Sequence, residues 1–154
     1  MKNKFNIFYG FMVVITFLIL VVAPVGIADA QDTSTACSDN FSESGSYFTG
    51  RQFKTWQNFA KVKYADAYKR AYSFTAKAGF TITSHDKEIG VITAQQSLSQ
   101  GKQPKTAILN ISINELKQKG IKVEINFNTP SGASSPTEAI KKHFCDTMTA
   151  VEGR

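Results

Sequence analysis

The stretch TSHDKEIG places His85, Asp86 and Glu88 within four positions of one another. Imidazole and carboxylates are the groups that ligate a metal or move a proton, provided the side chains converge on one point. Short β-branched runs, FTITS before and IGVITAQ after, flank the cluster. HDKE therefore also reads as the solvated tip of a hairpin, where aspartate is favoured because its side chain bonds nearby backbone amides. The second histidine, His143, lies far away in a cationic KKH context, so a three-ligand site would need the tip to fold onto that segment. The hairpin is the preferred reading, and a small metal-binding protein or hydrolase using His85, Asp86 and Glu88 is the alternative. The sequence lacks G-x-S-x-G, H-E-x-x-H and a Gly-rich phosphate loop. The expectation is a protein that is not an enzyme and needs neither cofactor nor metal.

Two further groups of residues carry chemistry. Cys37 and Cys145 are the only cysteines, and an even count in an exported chain is read as a disulfide. A reactive cysteine is the other reading, although the sequence has no C-x-x-C pair. Lys61, Lys63, Lys69, Arg70 and Lys77 accompany Tyr64, Tyr68 and Tyr72 on one stretch. Basic residues interleaved with aromatics can grip nucleic acid. Tyrosines packed on a sheet beside solvated lysines are the simpler account, so no nucleic-acid partner is expected. The basic face remains a candidate surface for another envelope protein or an anionic envelope surface. Asn40-Phe41-Ser42 and Asn110-Ile111-Ser112 match glycosylation sequons and are read as chance.

Export itself is inferred from the N-terminus. Lys2 and Lys4 precede an apolar run from Phe11 to Ala23, Pro24 and Gly26 break any helix, and Ala28-Asp29-Ala30 fits signal peptidase cleavage. Residues 1–30 are thus assigned as a signal peptide and the mature chain as periplasmic or secreted. An uncleaved anchor is the rival, since the segment approaches the ~20 apolar residues of a membrane span. Polar residues between the apolar run and Cys37 argue against lipidation. Loss of Lys2, Lys4 and Asp29 lowers the net charge of +6 by one unit, and the remaining excess is spread along the chain.

The elements that would position these groups follow from periodicity. Residues 31–46, rich in Ser, Asp and Thr, are expected to form a flexible N-terminal segment, and 47–154 a single domain. Residues 47–59 alternate weakly and suggest a first strand. Tyr64, Ala67, Tyr68, Ala71, Phe74 and Ala78 share one helical face, with Gly79 placed to end the helix in the left-handed conformation. Beyond Gly79 the period becomes two. Ala107, Leu109, Ile111 and Ile113 alternate with Ile108, Asn110, Ser112 and Asn114, and Ile121, Val123, Ile125 and Phe127 with Lys122, Glu124 and Asn126, on either side of KQKG, an antiparallel hairpin. Ser135-x-x-Glu138 with Pro136 predicts a capped final helix carrying Ile140, Phe144, Met148 and Val151. The expected fold is α+β, a two-layer sandwich with an antiparallel sheet of four to five strands and two helices on one face.

The run from Ala67 to Gln95 resembles small bacterial periplasmic and lipoprotein domains, of which BamC-like domains of the outer-membrane assembly machinery are examples. The matching residues are Gly79, Phe80, Ile82, Asp86, Gly90, Ile92 and Ala94. The resemblance implies a helix-grip α+β fold serving as a binding or scaffolding module without catalysis. Unlike the lipoprotein members, this chain has no lipobox, and it supplies one domain only. The expected function is an exported non-catalytic binding or scaffolding module of the cell envelope; a secreted effector or inhibitor is a further alternative.

Overall fold

The computed structural model describes residues 33–98 and 104–154. The signal peptide assignment lies outside the described residues. The elements are α1 (Thr33–Asp39), β1 (Ser42–Ser46), β2 (Gly50–Phe59), α2 (Tyr64–Lys77), β3 (Thr81–Asp86), β4 (Val91–Leu98), β5 (Lys105–Glu115), β6 (Ile121–Thr129) and α3 (Thr137–Glu152). All six strands form one antiparallel sheet in the order β1-β2-β6-β5-β4-β3. This corrects the expectation of four to five strands and two helices: among the described residues the sheet has six strands and three helices accompany it. The additional elements, α1 and β1, occupy the segment expected to be a flexible lead-in. The broad α+β class is as expected.

Alternation decides which way the sheet faces. Phe53, Thr55, Gln57 and Phe59 of β2 point inward, as do Ile121, Val123, Ile125 and Phe127 of β6 and Ala107, Leu109, Ile111 and Ile113 of β5. Helices supply the other half of the core through Cys37 of α1, Ala67, Tyr68 and Ala71 of α2, and Phe144, Met148 and Val151 of α3. Thr75 is also buried, its hydroxyl returned to the Ala71 carbonyl at 2.8 Å, whereas Ala78 of the expected helical stripe is exposed. Gly79 ends α2 with φ 87°, as its position beyond the last apolar turn predicts.

Two linkages between elements hold the layers together. Cys37 and Cys145 are disulfide-bonded, Cα–Cα 5.5 Å, and link α1 to α3 across 108 residues of sequence. The second is the start of α3, where the expected capping box does not form. The helix begins at Thr137, Pro136 is the extended N-cap residue, and no side chain caps it. Arg51 reaches over from β2 to donate to the Ser135 carbonyl and to the Thr137 hydroxyl, each at 2.6 Å. Glu43 of β1 accepts from Arg51 and from Thr137, the latter at 2.9 Å. The helix entry is fixed by a β1–β2–α3 staple that no local pattern could reveal.

Candidate functional site

Asp86 ends β3 and His85 lies beside it. The Asp86 carboxylate accepts from the backbone N–H of Glu88 (2.8 Å) and of Ile89 (3.2 Å), closing the Lys87–Gly90 turn. Gly90 leaves the turn at φ 74°, and a Cβ there would lie 2.1 Å from the Ile113 carbonyl oxygen, whose strand donates back to the Gly90 carbonyl. His85 turns toward α2, its Nδ1 3.4 Å from the Tyr68 hydroxyl and its ring edge-on to Tyr72 at 5.2 Å. Tyr64 donates to the Lys87 carbonyl. Burial pushes the Tyr64 and Tyr68 hydroxyls above their ordinary pKa, and the nearby Asp86 charge acts in the same direction. The carboxylate of Asp86 is committed to the turn and the imidazole to the tyrosine face. No group of three His, Cys, Asp or Glu among the described residues is arranged to hold a metal.

The five basic residues singled out in the sequence are divided between two places. Lys61 and Lys63 precede α2 and line a cleft of about 500 Å³, joined there by Lys119 from the β5–β6 turn and by Glu115. Lys69, Arg70 and Lys77 recur along the outer stripe of α2 and line a second cleft of about 540 Å³. Its far wall is Ala150, Gly153 and Arg154, at the end of α3. Asp66 is the one carboxylate lining it. Arg70 also donates to the carbonyls of Val151 and Glu152 at 3.1 Å each, satisfying acceptors that a helix end leaves open. Lys69 and Lys77 are solvent-exposed. The arrangement is an open cationic groove across the α2–α3 seam. Sequence reasoning missed Arg154 and Lys119, which reach these clefts only through tertiary folding.

A third cleft, about 210 Å³, opens between the end of α2 and the first half of α3. Phe80, Phe127 and Phe144 line it with His143, whose ring stacks on Phe80 at 5.3 Å. Burial lowers the His143 pKa, Lys142 adds to this, and Asp146 opposes it. Its Nε2 is buried without a hydrogen-bond partner.

Among the described residues no helix is long and apolar enough to cross a membrane. No protein-family model matches the chain and no curated protein matches it. Among solved structures the chain is similar to EF2215, a conserved protein of unknown function from Enterococcus faecalis, with a TM-score of 0.50. The match covers 78% of this chain and 79% of that one at 6% sequence identity. At that identity the likeness is one of fold.

Proposed function

We propose that the protein is an exported, non-catalytic binding module that engages an anionic component of the bacterial cell envelope through the α2–α3 groove. The reading of export rests on the N-terminal charge, apolar run and cleavage pattern, and on a disulfide of the kind that persists in oxidising compartments. The binding role rests on one observation: Lys69, Arg70, Lys77 and Arg154 gather around a single cleft that Asp66 also lines, and of these cations Arg154 is paired with Glu152, which leaves an excess of positive charge. Like charges grouped on a concave surface raise the local concentration of anions and steer their approach. Arg70 is part of the wall that holds the groove together, and Lys69 and Lys77 are the freely solvated charges that meet the partner.

Co-sedimentation of the mature protein with isolated envelope fragments tests this. Binding is expected to weaken as salt rises, because exposed charge pairs are screened. Lys69→Glu with Lys77→Glu should weaken it about tenfold or more, while His85→Ala with Glu88→Ala should leave it unchanged. Binding that ignores the lysine reversals but is lost with the His85 pair would move the site to the β3–β4 turn and sink the proposal.

A further inference from the structure

The helices cover one face of the sheet, and the opposite face carries an unusual set of side chains. Registered pairs place Gln52, Asn128, Ile108 and Gln95 in one row across β2, β6, β5 and β4. The next row is Lys54, Asn126, Asn110 and Thr93, and the one after it Trp56, Glu124, Ser112 and Val91. Each row spans three strand spacings, about 14 Å. Asparagine is disfavoured in strands, so its recurrence on this face is not explained by strand formation. Carboxamides offer two donors and an acceptor each. Among the described residues, only Gln52 to Asn128 and Thr93 to Asn110, both 3.0 Å, join side chains within the two amide rows. The Asn126 Oδ1 is buried and has no partner. At the border of these rows Trp56 is 41% exposed, and Lys122 stands over its ring at 5.0 Å while pairing with Glu124.

We infer that this face binds a neutral oligosaccharide. Sugar hydroxyls and acetamido groups both donate and accept, and carboxamides answer them with both functions in fixed positions. The apolar C–H face of a sugar ring packs on an exposed indole, which contributes large contact area at low entropic cost. The charges on these rows and beside Trp56 are Lys54 and the Lys122–Glu124 pair, whose members offset one another, so the face presents little net charge to a polyanion or a basic peptide. Its ligand class differs from that of the α2–α3 groove. The molecule would thereby join a glycan to an anionic envelope component from two different surfaces.

Trp56 is the only tryptophan in the chain, so its fluorescence reports this face directly. The oxidised mature protein is titrated with chitotetraose and, separately, with cellotetraose, by fluorescence and by calorimetry. The expected result is a saturable change in Trp56 emission with at least one sugar, insensitive to salt. Asn110→Ala and Asn126→Ala should each weaken binding about five- to tenfold, the loss of one or two net hydrogen bonds. Trp56→Ala should abolish the calorimetric signal with the circular dichroism of the fold retained. Lys69→Glu with Lys77→Glu should leave sugar binding unchanged, which separates this face from the groove. Absence of saturable binding with both sugars would overturn the inference. So would binding lost with the groove variant, or sedimentation as a dimer in which Trp56 becomes buried.

Discussion

His143 shows how a single side chain imposes a pH dependence on the fold. Its imidazole lies between Phe80 and Phe74, with ring centroids at 5.3 and 5.7 Å, and its Nε2 is both buried and unpartnered. Protonation there places a charge in a partly desolvated position, so the folded-state pKa falls below the ordinary 6.5. The unfolded chain then binds the proton more readily, and stability is lost as pH falls from 6.5 toward the lower folded value. Glu43 acts in the same direction in a lower window. Its bonds to Arg51 and Thr137 hold it below the ordinary 4.5, so its contribution is present above that value and disappears on further acidification. Urea midpoints measured between neutral and mildly acidic pH should therefore decline, and His143→Phe should flatten that decline while keeping the aromatic stack. An equal slope in the variant would place the acid sensitivity elsewhere. Gln57 offers a contrasting case. Its Oε1 is buried without a partner, so Gln57→Leu removes an unsatisfied acceptor and should raise stability by about 1 kcal/mol in denaturant unfolding.

At the level of elements, the start of α3 depends on residues distant in sequence. Arg51→Leu removes the donor that serves Ser135, Thr137 and Glu43 together, an expected loss of about 1–3 kcal/mol. Ser135→Ala and Glu138→Ala, which would cripple a capping box, should each stay within about 0.5 kcal/mol in the same unfolding assay. The reverse ranking would restore the local cap. The same distinction explains which elements were legible. β5 and β6 write their burial into strict alternation, and α2 repeats Ala67, Tyr68 and Ala71 at helical spacing, so each element states its own period. Nothing in SESGS is apolar, and β1 exists because β2 offers it an edge and Glu43 meets Arg51. The seven-residue α1 is too short to stand alone and is held by Cys37 and by Phe41, which lies against Phe53 and Phe144 at 6.2 and 5.9 Å. The candidate site divides in the same way. Lys69, Arg70 and Lys77 lie on one readable helix, whereas Arg154 arrives by the packing of α3 on α2. Asn110, Asn126 and Asn128 were visible as the polar half of each strand, but their assembly into rows required the register.

Across the whole molecule, the Cys37–Cys145 bond connects the beginning of the described fold to its last helix. The strands between them complete their ladders without it: β2, β6, β5 and β4 pair along eight to nine registered positions each. The bond's main effect is therefore on the unfolded chain, where closing a loop of 108 residues removes about 4–5 kcal/mol of conformational freedom in the chain-entropy estimate. Cys37 is also fully buried, and its carbonyl accepts from the Thr55 hydroxyl at 2.8 Å, so α1 keeps a docking site after reduction. Cys37→Ala with Cys145→Ala should consequently lower stability by about 2–5 kcal/mol, in the range for native disulfides of small exported domains. Hydrogen exchange should then rise in α1, β1 and the first turns of α3, with the amides of β5 and β6 remaining the slowest in the protein. A uniform rise across all six strands would mean that the sheet itself depends on the bond. A stability indistinguishable from the oxidised protein would mean that α1 and α3 restrain the unfolded chain no more when linked than when free. The expected intermediate outcome leaves both the α2–α3 groove and the open amide face intact. On that outcome the reduced protein should retain whatever binding the oxidised protein shows to the proposed anionic and neutral ligands at temperatures where the sheet survives, and binding should fail only on global unfolding.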